Sequence, residues 1–151
     1  MGAGLSVGQV VRSQGRTIGE GEFAFLTDLS WAIGERHVNS EFVTTRGERG
    51  RELAGPLVIA LVVSLAANGP LNGQLRDEHG LQVLASISLD AMLSGPVRPG
   101  DTLWAESEIV GVRESSNELP HGVLEIRDRG KNQRGEVVVE LVRALKFSRT
   151  M

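Results

Sequence analysis

The chain has 151 residues, 40% of them hydrophobic and 23% charged, with a formal net charge of −3 at pH 7. That composition suits one soluble globular domain with a core of ordinary size and excludes a disordered chain, while the acidic balance argues against a nucleic-acid footprint, which needs a basic face. There is no cysteine, so a disulfide scaffold and a thiolate metal site are both excluded.

Residues 1–9 lack a basic n-region and an apolar h-region, so no targeting segment is read there and a cytoplasmic location is expected. Residues 8–18 read as a lead-in segment or first strand. Thr17 is placed to cap a helix, with Glu20 as its capping-box partner. The helix itself is predicted over residues 22–29, burying Phe23, Phe25 and Leu26. Trp31, Gly34 and the charged pair Glu35-Arg36 then suggest a loop over residues 30–37. Residues 40–45 form a short helix or a turn, and residues 45–51, with Gly47 and Gly50, an exposed polar loop.

The strongest signal follows. Pro56, directly after Gly55, sits where a first helical residue tolerates proline. The run LVIALVVSLAAN is apolar nearly all round, as in a helix enclosed on most sides. Its β-branched residues also suit a buried strand, but its length and the stop at Asn68-Gly69-Pro70 favour a helix. The longest apolar stretch falls short of the roughly 20 residues of a membrane span. Beyond it, residues 81–93, 102–113, 122–129 and 136–149 are four β-type runs. Breaks at Ser94-Gly95-Pro96, residues 115–120 and residues 130–135 separate them. Long strands on tight connections after one central helix predict an α+β fold: an antiparallel sheet wrapped around that helix, one domain over residues 1–151.

Four motifs in this order carry a resemblance. Thr17-Ile18-Gly19-Glu20 is followed by His37 and Val38-Asn39-Ser40-Glu41-Phe42. Then come Ala54-Gly55-Pro56-Leu57-Val58, Pro96-Val97-Arg98-Pro99-Gly100-Asp101-Thr102-Leu103, and Asn132-Gln133-Arg134-Gly135-Glu136-Val137-Val138. Together they resemble the MaoC-like dehydratases and (R)-specific enoyl-CoA hydratases, a branch of the hot-dog superfamily. The third motif has its own physical reading. Pro99 fixes φ, Gly100 permits a positive φ, and Asp101 is placed to bond the amides of a type II turn.

The resemblance implies a hydro-lyase that adds or removes water at C2–C3 of an enoyl thioester. In that family an Asp-x-Asn-x-x-His segment handles the water and the α-proton, and a backbone amide at the helix start polarises the thioester carbonyl. The histidine position is His37. The aspartate position is Ala32, the asparagine position Gly34, and the usual proline is Glu35. Glu35, Asp28 and Asp90 are the carboxylates weighed as replacements, Glu35 first on the His37 loop and Asp90 either outward-facing or paired with His37. Gly55 keeps its N–H for the oxyanion, whereas Pro56 has none to give. The implied site is therefore His37, Glu35 and Gly55 as catalytic groups, with Trp31, Pro56, Ser64 and Asp90 toward the substrate. Trp31 is read as a core or interface anchor or a wall of the acyl pocket, and Ser64 as bonding either a substrate carbonyl or its own helix. His79 and His121 are expected to be solvated. The run Arg46, Glu48, Arg49, Arg51, Glu52 reads as an exposed face or as a hold on coenzyme A phosphates.

No metal spacing, P-loop or nucleophile elbow is present, so no cofactor is expected beyond coenzyme A or an acyl carrier as part of the substrate. An unpaired sheet edge predicts a homodimer or higher even oligomer, or a pair with another hot-dog subunit. No nucleic acid and no membrane is expected as a partner. Two other readings stand beside the hydratase: a catalytically silent hot-dog subunit, suggested by Ala32, and a hot-dog thioesterase or acyl-CoA binding module.

Overall fold

Alternation of side chains between two faces builds most of the second half of the chain. The computed structural model describes residues 6–114 and 121–149; the 115–120 break and residues 1–5 of the N-terminal reading lie outside them. The long strands are β3 (Leu81–Leu93), β4 (Thr102–Glu114), β5 (His121–Lys131) and β6 (Val137–Arg149), close to the predicted runs. Ahead of them come β1 (Val10–Arg12), β2 (Arg16–Thr17), α1 (Glu20–Leu29), α2 (Glu35–Val38), α3 (Ser40–Thr45), α4 (Gly55–Ala67) and α5 (Pro70–Asp77). The sheet is antiparallel throughout, in the order β1-β4-β5-β6-β3, with β2 pairing the start of β4.

On the inner face Leu103 and Ala105 of β4 and Val139 and Leu141 of β6 meet a stripe of α4, Val58, Val62 and Ala66, spaced one turn apart. Gly130 of β5 lets the helix approach: a Cβ there would lie 2.6 Å from Val62 Cγ2 and 2.9 Å from Val139 Cγ1. A second apolar cluster joins Leu71 and Leu75 of α5 to Ile109, Leu124, Ile126, Leu145 and Phe147. Between the two clusters the same inward positions turn polar. Ser107 of β4 donates to Asp128 Oδ1 of β5 at 2.5 Å, and Arg143 of β6 clasps that carboxylate through Nε at 2.5 Å and Nη2 at 3.3 Å.

The last two motifs clasp each other. In the turn Asp101 N–H bonds Arg98 O at 3.0 Å, Gly100 has φ 91°, and Arg98 N–H donates to Asp101 Oδ2 at 2.9 Å. Gln133 of the β5–β6 hairpin then donates to Asp101 Oδ1 at 2.7 Å and accepts from Thr102 N–H at 3.0 Å.

Several expectations from the sequence are corrected. Thr17 does not cap α1; it is in β2, its hydroxyl 2.6 Å from that of Thr102, and Gly19 precedes the helix without a side-chain cap. Strand pairing with β4 outweighs the local capping preference. Phe25 is 65% exposed, because α1 buries only the Phe23–Thr27 stripe. The predicted loop over residues 30–37 contains the start of α2, and residues 40–45 are helical. Pro70 opens a further helix, α5, unread in the sequence, since a proline that ends one helix also suits the first turn of the next. α4 is not enclosed on most sides within one chain: Pro56, Ala60, Ser64 and Ala67 are exposed. His121 is the first residue of β5 and half-buried, its Nδ1 sealed without a partner, so it is not a solvated loop residue. No single described helix is long and apolar enough to cross a membrane; α4 and α5 reach that length only together, bent by 41°.

Candidate functional site

The histidine is presented by a short, strapped segment. Asn39 ends α2 and starts α3, its Oδ1 accepting from Phe42 N–H at 3.1 Å. Downstream, residues 46–53 cross back over α2. Glu52 N–H bonds Arg36 O at 3.3 Å, Leu53 N–H bonds Val97 O at 2.7 Å, and the Glu52 carboxylate pairs with Arg98 at 3.2 Å and Arg36 at 3.7 Å. The straps set the direction of the Glu52 carbonyl, and His37 Nδ1 lies 2.6 Å from that oxygen.

A carbonyl oxygen can only accept, so Nδ1 carries the hydrogen. In the neutral ring Nε2 is then a free lone pair. That arrangement makes His37 a base at Nε2, oriented by backbone rather than by a carboxylate. Gly34, at the family's asparagine position, runs alongside the ring: a Cβ there would stand 3.5 Å from His37 Cδ2 and 3.9 Å from Nε2.

Gly55 begins α4 three residues after Glu52, at most about 10 Å of chain away. Its N–H has no acceptor among the described residues. It therefore keeps the free donor and the positive helix end that stabilise an oxyanion. A Cβ at Gly55 would fall 2.4 Å from Leu93 Cδ1, so the helix start and the end of β3 are in contact.

The other expected residues are spread more widely. Glu35 is exposed, and its Oε1 takes the Asn39 amide at 3.5 Å; two positions along a helical turn from His37, it points away from the ring. Asp28 is exposed on α1. Asp90 pairs in register with Val142, between inward Leu141 and Arg143, so it lies on the sheet face away from α4 and is not brought to His37. The reading of Asp90 as an acid–base partner fails on that register. Trp31 is 82% exposed with φ 58°, which corrects its reading as a core anchor. Pro56 is exposed beside Gly55. Ser64 sits nine residues after Gly55 and half a rotation round the helix, lining a cleft of about 390 Å³ with Gln14, Arg16 and Glu22. Its hydroxyl makes no hydrogen bond among the described residues.

The arginine run is only partly the exposed face expected of it. Arg46 and Arg49 are exposed, but Glu48, Arg51 and Glu52 are half-buried, and Arg36 bonds Glu48 at 3.1 Å. Arg49, Arg51 and Arg98 line a cavity of about 360 Å³ with Glu20 and Asp101. Sequence reasoning named Glu52 only within that run and missed its contact with His37, which is made by its main-chain oxygen and leaves no mark in residue type. It also missed Arg143, whose position in an inward register was the available signal. Among the described residues no group of three or more His, Asp or Glu side chains is placed to hold a metal ion.

No protein-family profile matches the chain. Over 48 residues, 32% of this chain, it is 54% identical to a mesaconyl-CoA hydratase from Cereibacter sphaeroides, and that stretch is 14% of the hydratase's length. Among solved structures it is similar to a MaoC domain protein dehydratase from Chloroflexus aurantiacus, with a TM-score of 0.80 and 26% identity over 97% of this chain and 39% of that one. A Mycobacterium tuberculosis protein with a double hot-dog fold matches at a TM-score of 0.77 and 22% identity, over 97% and 43%. The (R)-hydratase of A. caviae, involved in PHA biosynthesis, matches at 0.64 and 22% identity over 97% and 98%. The chain thus spans less than half of the first three proteins and nearly all of the fourth.

Proposed function

For a chain with the hot-dog fold of the MaoC-like dehydratases and (R)-hydratases, we propose hydration and dehydration of an enoyl thioester, with His37 as sole acid–base group and Gly55 N–H as oxyanion donor. The observation that carries this is the bond from His37 Nδ1 to the Glu52 carbonyl, which leaves Nε2 as a base without the carboxylate lost at Ala32. Nε2 removes a proton from water as its oxygen attacks C3. The C2–C3 π pair moves toward C2 and the thioester oxygen, where Gly55 N–H stabilises the enolate. The imidazolium returns the proton to C2. One H and one OH are added, and the same base and acid serve the reverse reaction. Glu35 has no part in this scheme.

The similarity to a mesaconyl-CoA hydratase supports the reaction type and suggests mesaconyl-CoA as one substrate to assay. The open edge of β3, with Leu84, Ile87, Leu89 and Met92 exposed, supports a two-fold pairing of copies. Ala32 supports a second reading, a silent subunit completed by another hot-dog chain.

Purified protein is incubated with crotonyl-CoA, a longer enoyl-CoA and mesaconyl-CoA, and loss of the conjugated absorbance is followed. Turnover that disappears in His37→Ala supports the scheme. No turnover by folded protein, or turnover that survives His37→Ala, rejects it; the first outcome leaves the silent-subunit reading.

A further inference from the structure

The turn motif over residues 96–103 does more than connect β3 to β4. Val97 is fully buried, and its carbonyl accepts from Leu53 N–H at 2.7 Å. Leu53 N–H and Glu52 C=O are the two ends of one peptide unit. Every described peptide bond is trans, so those two ends point in opposite directions. The unit pinned on Val97 therefore aims the Glu52 oxygen back toward α2, where His37 Nδ1 stands 2.6 Å away.

One hydrogen bond fixes a direction but leaves the unit free to swing about it. The neighbouring bond, Glu52 N–H to Arg36 O, is 3.3 Å, long for an amide pair. A further hold comes from the Glu52 carboxylate. Arg98 Nη2 donates to its Oε1 at 3.2 Å, and Arg36 Nη1 lies 3.7 Å from its Oε2. Of the two arginines, Arg36 is 48% exposed and shared with Glu48, whereas Arg98 is 21% exposed. Arg98 is also the better anchored. Its own N–H donates to Asp101 Oδ2 at 2.9 Å, and Gln133 holds Asp101 in turn at 2.7 Å. Its stem runs beneath Gly50, where a Cβ would stand 3.9 Å from Arg98 Cδ. Its Nε is sealed from solvent, so the head group is enclosed around its bond to Glu52.

We propose that Arg98 is a positioning residue for His37. By holding the Glu52 carboxylate it keeps the Glu52 carbonyl on Nδ1, and so keeps the ring hydrogen there and the lone pair on Nε2. This rests on the reading of His37 as a base at Nε2. Arg98 does not touch substrate in this scheme; its effect passes through one main-chain oxygen. A guanidinium suits the task, because it is always charged and its planar fork loses little freedom on bonding a carboxylate.

The tautomer is read directly by nitrogen NMR of isotope-labelled histidine in alkaline buffer, where the ring is neutral. His37→Ala identifies the His37 signals among the three histidines. The native ring is expected to carry its hydrogen on Nδ1. Arg98→Met is expected to add a second His37 population with the hydrogen on Nε2. It is also expected to lower kcat on crotonyl-CoA about tenfold with KM within about twofold, the scale of losing a group that orients a histidine from outside. Glu52→Ala keeps the carbonyl and removes the carboxylate. It is expected to change the spectrum in the same way, and the double variant no further, because both break one link. Glu52→Ala decides alone if circular dichroism shows that Arg98→Met does not fold. An unchanged tautomer in a folded variant overturns the proposal, and so do changes that add in the double variant. A native ring with its hydrogen on Nε2 overturns both the positioning and the catalytic scheme. Shifted tautomers beside an inactive native chain uphold the positioning and reject the scheme. Hydration that depends on His37, with tautomers unmoved in the variants, does the reverse.

Discussion

At His37 the bond from Nδ1 to the Glu52 carbonyl does by main chain what a carboxylate does elsewhere. Glu35, two residues away, is engaged with Asn39. Glu35→Gln is therefore expected to keep turnover within about twofold, against a loss of the general acid–base factor of about 10² to 10⁴ in His37→Ala; steady-state rates on crotonyl-CoA separate the two. Asp128 makes the opposite kind of point. It is fully buried and held by Arg143 and Ser107, so Asp128→Ala leaves a guanidinium uncompensated in the core. A loss of about 3–5 kcal/mol is expected in urea unfolding. His37 was readable from motif position, because catalytic residue types stand out. The Arg143–Asp128 pair was not, because its partners are 15 positions apart and joined only by strand register.

Among the elements, the four long strands were legible within one or two residues, since alternation with period two is written directly into the chain. The 99–100 turn was legible for a similar reason: proline and glycine set φ locally. What the turn and the β5–β6 hairpin do together was not, because Gln133 meets Asp101 only in the folded sheet. In that hairpin the Glu136 carboxyl is held below the usual carboxylate range, first by the Asn132 amide and then by the Arg134 guanidinium. A depressed folded value means that its contribution is present above the unfolded pKa of about 4.3 and lost as pH falls through the lower folded value. The difference in urea midpoint between the native chain and Glu136→Gln is thus expected at neutral pH and to vanish in acid. α4 shows the limit of pattern reading: apolar on every side, it buries one stripe against the sheet and leaves the rest open.

For the whole molecule, β3 is an edge strand whose exposed side chains include Leu84, Ile87, Leu89, Met92 and Leu93. A second copy pairing along β3 satisfies the free backbone groups and covers Ile87, which is 56% exposed. Sedimentation of the native chain at micromolar concentration is expected to give a dimer, and Ile87→Lys a monomer. A monomeric native chain rejects the pairing. The fold and the location of the histidine segment at the start of α4 survive either outcome, because both are built from contacts within one chain.

The sequence by itself determined the antiparallel sheet, the central helix, the proline–glycine turn and the position of His37, since each depends on local period, backbone freedom or residue type. Only the tertiary structure decided which backbone oxygen orients the imidazole, that Asp90 lies on the far face, and that Arg143 and Asp128 meet as a buried pair. Those depend on strand register and on segments far apart in the chain, where a shift of one residue would turn every side chain to the other face.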